Sequence, residues 1–311
     1  MNISVVIPNY NSEQLIKKNI PKVFDALGNY KSGATEVVIV DDKSTDNSLS
    51  LLKDFQIKYK NLKILENEKN LGFSSSVNIG VKSASGEIVV LLNTDIYPET
   101  NFLESLIGHF KDEEIFAVGC LDKSIENENT ILRGRGLGEW KKGFLVHKRG
   151  ETDKENTLWV SGGSGAFRKS IWDKLGGLND LYNPFYWEDI DLSYRALKSG
   201  YKILFDSNSI VIHEHEKGAI KNKYSDFQIK TIAYKNQFIF VWENATDYSL
   251  QFAHLLYLPY HFVKALLRGD VAFFLGFFWA LIFLPKVIKS SLSYQKYFIK
   301  TDSEVIKNYK Q

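Results

Sequence analysis

Three short, mainly aliphatic runs, Ile3 to Ile7, Val37 to Val40 and Ile88 to Leu92, each end on a polar cluster: Pro8-Asn9-Tyr10-Asn11, Asp41-Asp42 and Asn93-Thr94-Asp95. Runs of this kind, without polar alternation, predict strands covered on both faces and hence a parallel sheet. Ligands of such sheets collect beyond the carboxyl ends of the strands. The three clusters are therefore expected to meet in one crevice.

The segments between the runs have helical spacing. Ser12 is expected to cap a helix presenting Leu15, Ile16, Ile20, Val23, Phe24 and Leu27, with Pro21 kinking or dividing it. Ser44 or Asp46 is expected to open a second helix with Leu49, Leu52 and Phe55 inward, and Ser74 to Ala84 a third through Val77, Ile79 and Val81. With Leu62 to Leu65 as a further strand, the order is βαβαβαβ. Right-handed crossovers wind that order into an open three-layer α/β sheet.

Charge and cysteine content remove several classes. A net charge of +2, with no dense Lys/Arg stripe in the first two thirds, gives no footprint for nucleic acid. The single cysteine, Cys120, excludes an internal disulfide framework and a multi-cysteine metal site, and fits a reducing compartment. The run Ile3 to Ile7 is far shorter than the apolar region of a signal peptide, so the chemistry is expected in the cytoplasm. The turn after the first run has neither the glycine fingerprint of dinucleotide folds nor a Gly-Lys-Ser/Thr phosphate loop. A different mode of nucleotide binding is needed.

Ile7-Pro8-Asn9-Tyr10-Asn11, Val40-Asp41-Asp42-Lys43-Ser44-Thr45-Asp46, Asn70-Leu71-Gly72-Phe73 with Asn78, Asn93-Thr94-Asp95 and Trp187-Glu188-Asp189-Ile190-Asp191-Leu192 together resemble the family-2 glycosyltransferases, and most of all their rhamnosyltransferase-like branch. The motifs follow in order from residue 3 to about residue 215. The resemblance implies a GT-A-type, Rossmann-like three-layer sandwich with a mostly parallel sheet. It also implies an inverting, metal-dependent transfer from a nucleotide-diphospho-sugar.

The residues make chemical sense of that reading. Asp42, with Asp41, can accept the imide N–H of a uracil or thymine, while Pro8 and Tyr10 pack near base and ribose; either Asp could instead cap the following helix. Asn9, Asn70, Gly72 and Asn78 are expected to line the nucleotide pocket. Asn93, Thr94 and Asp95 stand where the family usually has Asp-x-Asp. Asp95 is the expected ligand of Mn²⁺ or Mg²⁺, which neutralises a pyrophosphate leaving group, and Asn93 adds no charge to that site. Within Trp159 to Phe167, Gly162 and Gly163 stand where the family brings backbone close to the donor. Trp159 and Trp187 are assigned to the acceptor or sugar pocket.

Glu188, Asp189 and Asp191 lie in the first turn of a helix that stops at Gly200, where acids often serve the helix dipole alone. By resemblance, Asp189 is the general base, and Glu188 and Asp191 orient the base, a substrate hydroxyl or the helix. Ile203 to Phe205 and Ile210 to Ile212 read as two strands, the second delivering His213 and His215. His213, 24 residues after Asp189, matches family members whose histidine completes the metal site, with His215 a weaker candidate.

Composition changes after about residue 240, which divides the chain into a catalytic domain (1–240) and a C-terminal helical extension (241–311). Phe252 to Leu267 and Val271 to Leu284 are apolar, but Pro259, His261, Lys264, Pro285 and Lys286 interrupt them. Neither gives the roughly twenty unbroken apolar residues of a spanning helix. Two amphipathic or shallowly inserted helices are expected. Residues 286–311 follow with six lysines against two acids, suited to the anionic inner face of the cell membrane. A hairpin packed on protein and a spanning hairpin are the alternatives. A membrane surface makes a lipid-linked or cell-surface glycan the natural acceptor, with a dTDP-rhamnose or UDP-hexose donor. The chain lacks a Gln-x-x-Arg-Trp element, so addition of one or a few sugars is expected rather than polymerisation. A noncatalytic glycan-binding scaffold of degenerate transferase fold and a sugar-nucleotide pyrophosphorylase are the competing functions.

Overall fold

Alternate residues of the first run part company: Val6 enters one apolar cluster, while Ile3, Val5 and Ile7 enter another on the opposite face of the sheet. Period-two burial on both faces is what the three runs predict. The computed structural model describes residues 1–126, 129–214 and 223–310. Its strands are β1 (Ile3–Asn9), β2 (Thr35–Asp41), β3 (Leu62–Glu66), β4 (Ile88–Leu92), β5 (Ile96–Pro98), β6 (Ile115–Glu126), β7 (Asn129–Arg133), β8 (Gly136–Lys141), β9 (Phe144–Arg149), β10 (Ser164–Arg168) and β11 (Lys202–Glu214). Among the described residues the main sheet has the order β3-β2-β1-β4-β10-β6-β11-β5, with β7 on β6 and β8-β9 as a separate hairpin. The strands from β3 to β4 run parallel, β11 runs parallel to β6, and β10 is inserted antiparallel between β4 and β6.

The helices are α1 (Glu13–Asn29), α2 (Ser48–Lys58), α3 (Phe73–Ser83), α4 (Phe102–Gly108), α5 (Lys169–Leu175), α6 (Glu188–Lys198), α7 (Asp226–Asn244), α8 (Tyr248–Leu267), α9 (Val271–Gln295) and α10 (Asp302–Ile306). One face of the sheet is covered by α1 and α4, the other by α3, α5, α6 and α7. The βαβαβαβ opening and the three layers are as expected.

Four expectations change. Helix α1 passes through Pro21 undivided, because Ile20, Val23, Phe24 and Leu27 hold it on the sheet while proline removes a single donor. Ser12 lies at its start, but the Ser12 hydroxyl donates to the Tyr10 carbonyl and caps nothing. Helix α2 starts at Ser48 after Asn47 and is opened by Asp46, one of the two expected residues: its Oδ1 accepts from the Ser48 amide at 3.0 Å and its Oδ2 from the Glu13 amide across the crevice, where Ser44 accepts from the Asn11 amide. The two strands expected after residue 202 are one strand with a bulge: Asp206 pairs with Cys120 and Ile210 with the next residue, Leu121.

The fourth lies at the C terminus. Helix α9 continues past Pro285 and Lys286 to Gln295, so this one helix is long and apolar enough to cross a membrane by length and composition. A stripe of Phe273, Gly276, Ala280, Val287 and Ser291 is buried, and at Gly276 a Cβ would stand 2.6 Å from the Cβ of Tyr234 on α7. Glycine is needed there for the two helices to touch. Residue 240 falls inside α7, and Phe238, Ala280 and Tyr309 belong to the same apolar cluster as Val6.

Candidate active site

The polar clusters are tied to one another. Asn9 Nδ2 donates to Asp41 Oδ1 at 2.7 Å, Asp41 Oδ2 accepts from the Ser44 amide at 3.0 Å, and Thr94 Oγ1 donates to Ser12 Oγ at 3.2 Å. Asp42 accepts from the Leu71 and Gly72 amides, each at 2.8 Å, and its carbonyl accepts from Asn70 Nδ2 at 3.2 Å. Neither acid caps α2, which removes that alternative; both first hold the loops that wall the pocket. Pro8 pairs with Val40, and half-buried Tyr10 lies under the Lys223 ammonium, 4.6 Å from its ring centre. Asn78 stands apart: its side chain is spent on the carbonyl and amide of Leu178, at 2.7 and 3.0 Å, and joins α3 to that turn.

At the end of β4 the backbone turns towards β11. His213 pairs with Ile96 across β11 and β5, which sets its Nε2 3.4 Å from Asp95 Oδ2. Its Nδ1 lies 2.9 Å from Asp122 Oδ2, and Asp122 is held in turn by Ser124 at 2.7 Å. The buried Asp95 Oδ1 accepts no hydrogen bond. An orphaned carboxylate oxygen beside a carboxylate-oriented imidazole fits a divalent cation, with ring tautomer and orientation fixed from the far side. Among the described residues no third His, Cys, Asp or Glu joins them, so phosphate oxygens and water would complete the shell. Asp122→Asn is expected to weaken Mn²⁺ affinity about 10–100-fold, read by electron paramagnetic resonance of Mn²⁺ with nucleotide present. His215 lies outside the described residues.

Backbone contacts carry the crevice on to the acids of α6. The Asn93 amide donates to the Gly163 carbonyl at 3.0 Å, and a Cβ on Gly163 would meet Asn93 Nδ2 at 2.6 Å. Next to it, the Gly162 amide points at Asp189 Oδ2 from 3.5 Å, and Asp189 Oδ1 accepts from the Ile190 amide at 2.8 Å. Asp95 and Asp189 are therefore linked through Asn93, Gly163 and Gly162 along one wall. Trp187, in the left-handed region at φ 78°, turns the chain into α6. The His147 ring stands 5.0 Å from Trp187 and 5.3 Å from Trp159. Trp187 is buried and also packs on Phe240 at 5.1 Å, so it belongs to the core rather than to the expected acceptor pocket, whereas Trp159 is half-buried.

Burial raises the carboxyl of Asp189 above the usual range, and burial together with the Asp189 charge pushes Glu188 up to about 8. This neighbouring pair holds a proton near neutrality. Asp191 does different work. It is fully buried, 2.7 Å from Arg195 Nη2, and accepts from Asn244 at 2.8 Å, so it fixes α6 rather than facing the crevice.

Asp122 and His147 escaped the sequence reading. Asp122 follows Phe116 to Leu121, the same aliphatic-run-then-acid pattern as the other clusters, so the signal was present. His147 carries none, because the β8-β9 hairpin brings it to the tryptophans.

Residues 4–176, more than half of the 311-residue chain, match the Glycosyl transferase family 2 model. The chain belongs to that family and is a glycosyltransferase of its type. It is 23% identical over 220 residues to the O-antigen chain rhamnosyltransferase RfbN of Salmonella typhimurium, covering 69% of this chain and 67% of that one. The pre-mycofactocin glycosyltransferase of Mycobacterium tuberculosis is 24% identical over 221 residues, 69% of this chain but 43% of its own length. Among solved structures, GalNAc-T7 with UDP, GalNAc and Mn²⁺ has a TM-score of 0.60 at 20% identity, over 80% of this chain and 49% of that one. Mannosyltransferase PcManGT from Pyrobaculum calidifontis, in complex with GDP-Man and Mn²⁺, has a TM-score of 0.58 at 17% identity, over 99% and 88%. These likenesses show a GT-A-type fold.

Proposed function

We propose that the protein transfers one sugar, with inversion, from a dTDP- or UDP-sugar to a hydroxyl of a lipid-linked or cell-surface glycan. The observation that carries this reading is the single wall on which Asp95, His213 and Asp189 lie. Asp95 and His213 would hold Mn²⁺ or Mg²⁺, which supplies Lewis-acid neutralisation of the departing diphosphate. Pro8, Asn9, Tyr10 and the loops held by Asp41 and Asp42 embrace the nucleoside, and Gly162 and Gly163, having no side chains, let Asn93 and Asp189 close on the donor from one wall. Asp189 takes the acceptor proton as the hydroxyl attacks the anomeric carbon, and Glu188, protonated at neutral pH, keeps a second negative charge away from it. Trp159, half-buried, offers a face on which an acceptor sugar stacks. The rhamnosyltransferase relative supports rhamnose as the first donor to test. Incubating the protein with dTDP-rhamnose and UDP-hexoses, with Mn²⁺ and with EDTA, tests the reading. Metal-dependent release of the nucleoside diphosphate is expected, and no release from any donor contradicts it. Release would also set aside the noncatalytic scaffold, and a requirement for pyrophosphate would favour the pyrophosphorylase.

The protein is read as cytoplasmic, resting on the inner face of the membrane through α8 and α9. Support comes from their outward side chains, among them Phe252, Leu255, Leu266, Leu267, Phe278 and Ile282, all exposed. The buried stripe of α9 against α7 favours a helix lying on the surface over one crossing it. Ending the chain near residue 245 would not test this, because Asp302 pairs with the buried Lys198 at 2.9 Å. Leu266→Lys with Phe278→Lys is instead expected to abolish flotation with anionic vesicles while leaving the melting temperature close to wild type; undiminished flotation would refute the surface assignment.

A further inference from the structure

A second cavity, open and of about 330 Å³, lies where the β8-β9 turn meets α7, α8 and the start of α9. Its wall carries Lys141 and Lys142 from the turn and Tyr260, His261, Lys264 and Arg268 from the end of α8. The turn is fixed there: Lys142 Nζ donates to Tyr260 Oη at 3.0 Å, and the Lys142 carbonyl accepts from His261 Nε2 at 2.8 Å. Among the described residues no carboxylate pairs with Lys142, Lys264 or Arg268. The acid on the wall, Asp270, is already taken by Lys230 at 2.9 Å and Tyr234 at 2.8 Å. The hydrogen bond and charge of Lys142, with Lys264 and Arg268 behind it, pull the Tyr260 phenol below its usual value.

This cationic cavity opens beside apolar surface. Val263, Leu266 and Leu267 on α8 and Phe278 on α9 are exposed. Val146 of β9 lines the cavity, whereas the next residue, His147, faces the other side of the strand and packs against Trp159 and Trp187. A free phosphate needs no apolar rim, and an anionic membrane alone needs no cavity. We propose that the cavity binds the diphosphate of a lipid-linked acceptor, with the hydrocarbon chain along the exposed sides of α8 and α9. Multiple charge-assisted hydrogen bonds, available here from lysine and arginine, are what a diphosphate requires. The inference rests on the lipid-linked acceptor read above and assigns it a place.

Calorimetric titration of the full chain with farnesyl diphosphate, inorganic pyrophosphate and farnesol tests it. Farnesyl diphosphate is expected to bind wild type more tightly than either other probe, and to lose about tenfold or more in affinity in Lys264→Glu/Arg268→Glu and in Lys142→Ala. Both variants should keep the wild-type thermal shift with donor nucleotide and Mn²⁺. Unchanged farnesyl diphosphate affinity in folded variants overturns the proposal, as does pyrophosphate binding equally well, which marks a free-phosphate site, or farnesol binding equally well, which marks an apolar one. Should the double variant fail to fold, Lys142→Ala carries the same expectation. Failure of the transferase reading would appear separately, as donor that wild type neither binds nor turns over.

Discussion

Asp189→Asn is expected to lower turnover by about three orders of magnitude, within the range that positioned general bases contribute, while donor nucleotide binding stays at the wild-type level. Asparagine preserves the shape and can still accept from the Ile190 amide, which Asp189 Oδ1 now does at 2.8 Å, so the loss would report proton transfer rather than folding. Burial raises Asp189 above the ordinary carboxylate range, and the base works only when ionised. Wild-type turnover should therefore rise with pH through that elevated value, and the residual activity of the variant should lack this limb. A stopped-flow or coupled assay of diphosphate release across pH 5 to 9 checks both. Normal turnover by the variant would remove Asp189 from the mechanism.

Asp191→Ala should act on stability instead, costing about 3–5 kcal/mol, the usual result of stripping a partner from a buried ion pair. Asp191 and Arg195 are each fully inaccessible, and Arg195 also donates to the Leu175 and Gly177 carbonyls at 2.6 and 2.7 Å. The second carboxyl of this network, Glu243, is pushed up to about 8 by burial and the Asp191 charge, and it accepts from Tyr182 at 2.8 Å and from Asn179 at 2.6 Å. A neutral Glu243 beside an Asp191–Arg195 pair leaves the cluster balanced, and alanine at 191 would leave the guanidinium uncompensated. Denaturant unfolding should show the loss, whereas kcat per folded molecule should change little. A fall in kcat without a fall in stability would assign Asp191 to the chemistry.

Most of the sheet was readable because β1, β2 and β4 are nearly uninterrupted aliphatic runs with both faces buried, and α1 to α3 repeat apolar residues at helical spacing. The segment from Glu99 to Leu158 offered less. Strands β8 and β9 form a two-stranded hairpin with much of its surface in solvent, and Gly136 and Gly138 blur the alternation of β8. The meeting of Asp95 and His213 depends on the pairing of β5 with β11, a tertiary register that no local pattern encodes, and only the family resemblance pointed to it. Asn78 illustrates the converse: its place within the motif suggested nucleotide contact, yet the structure uses it to tie α3 to Leu178. Acids in the first turn of α6 look alike in sequence. Their roles separate because Asp189 faces Gly162 whereas Asp191, two residues on, turns inward to Arg195.

Titration of the nucleotide sugar into wild type, Asp95→Ala, His213→Ala and Asp189→Asn, each with and without Mn²⁺, asks most directly whether one cation-bound donor sits beside one base. Mn²⁺-dependent binding is expected in wild type and Asp189→Asn, and its loss in Asp95→Ala and His213→Ala. Equal binding with and without the metal in all four proteins, or loss of binding in Asp189→Asn alone, would contradict it.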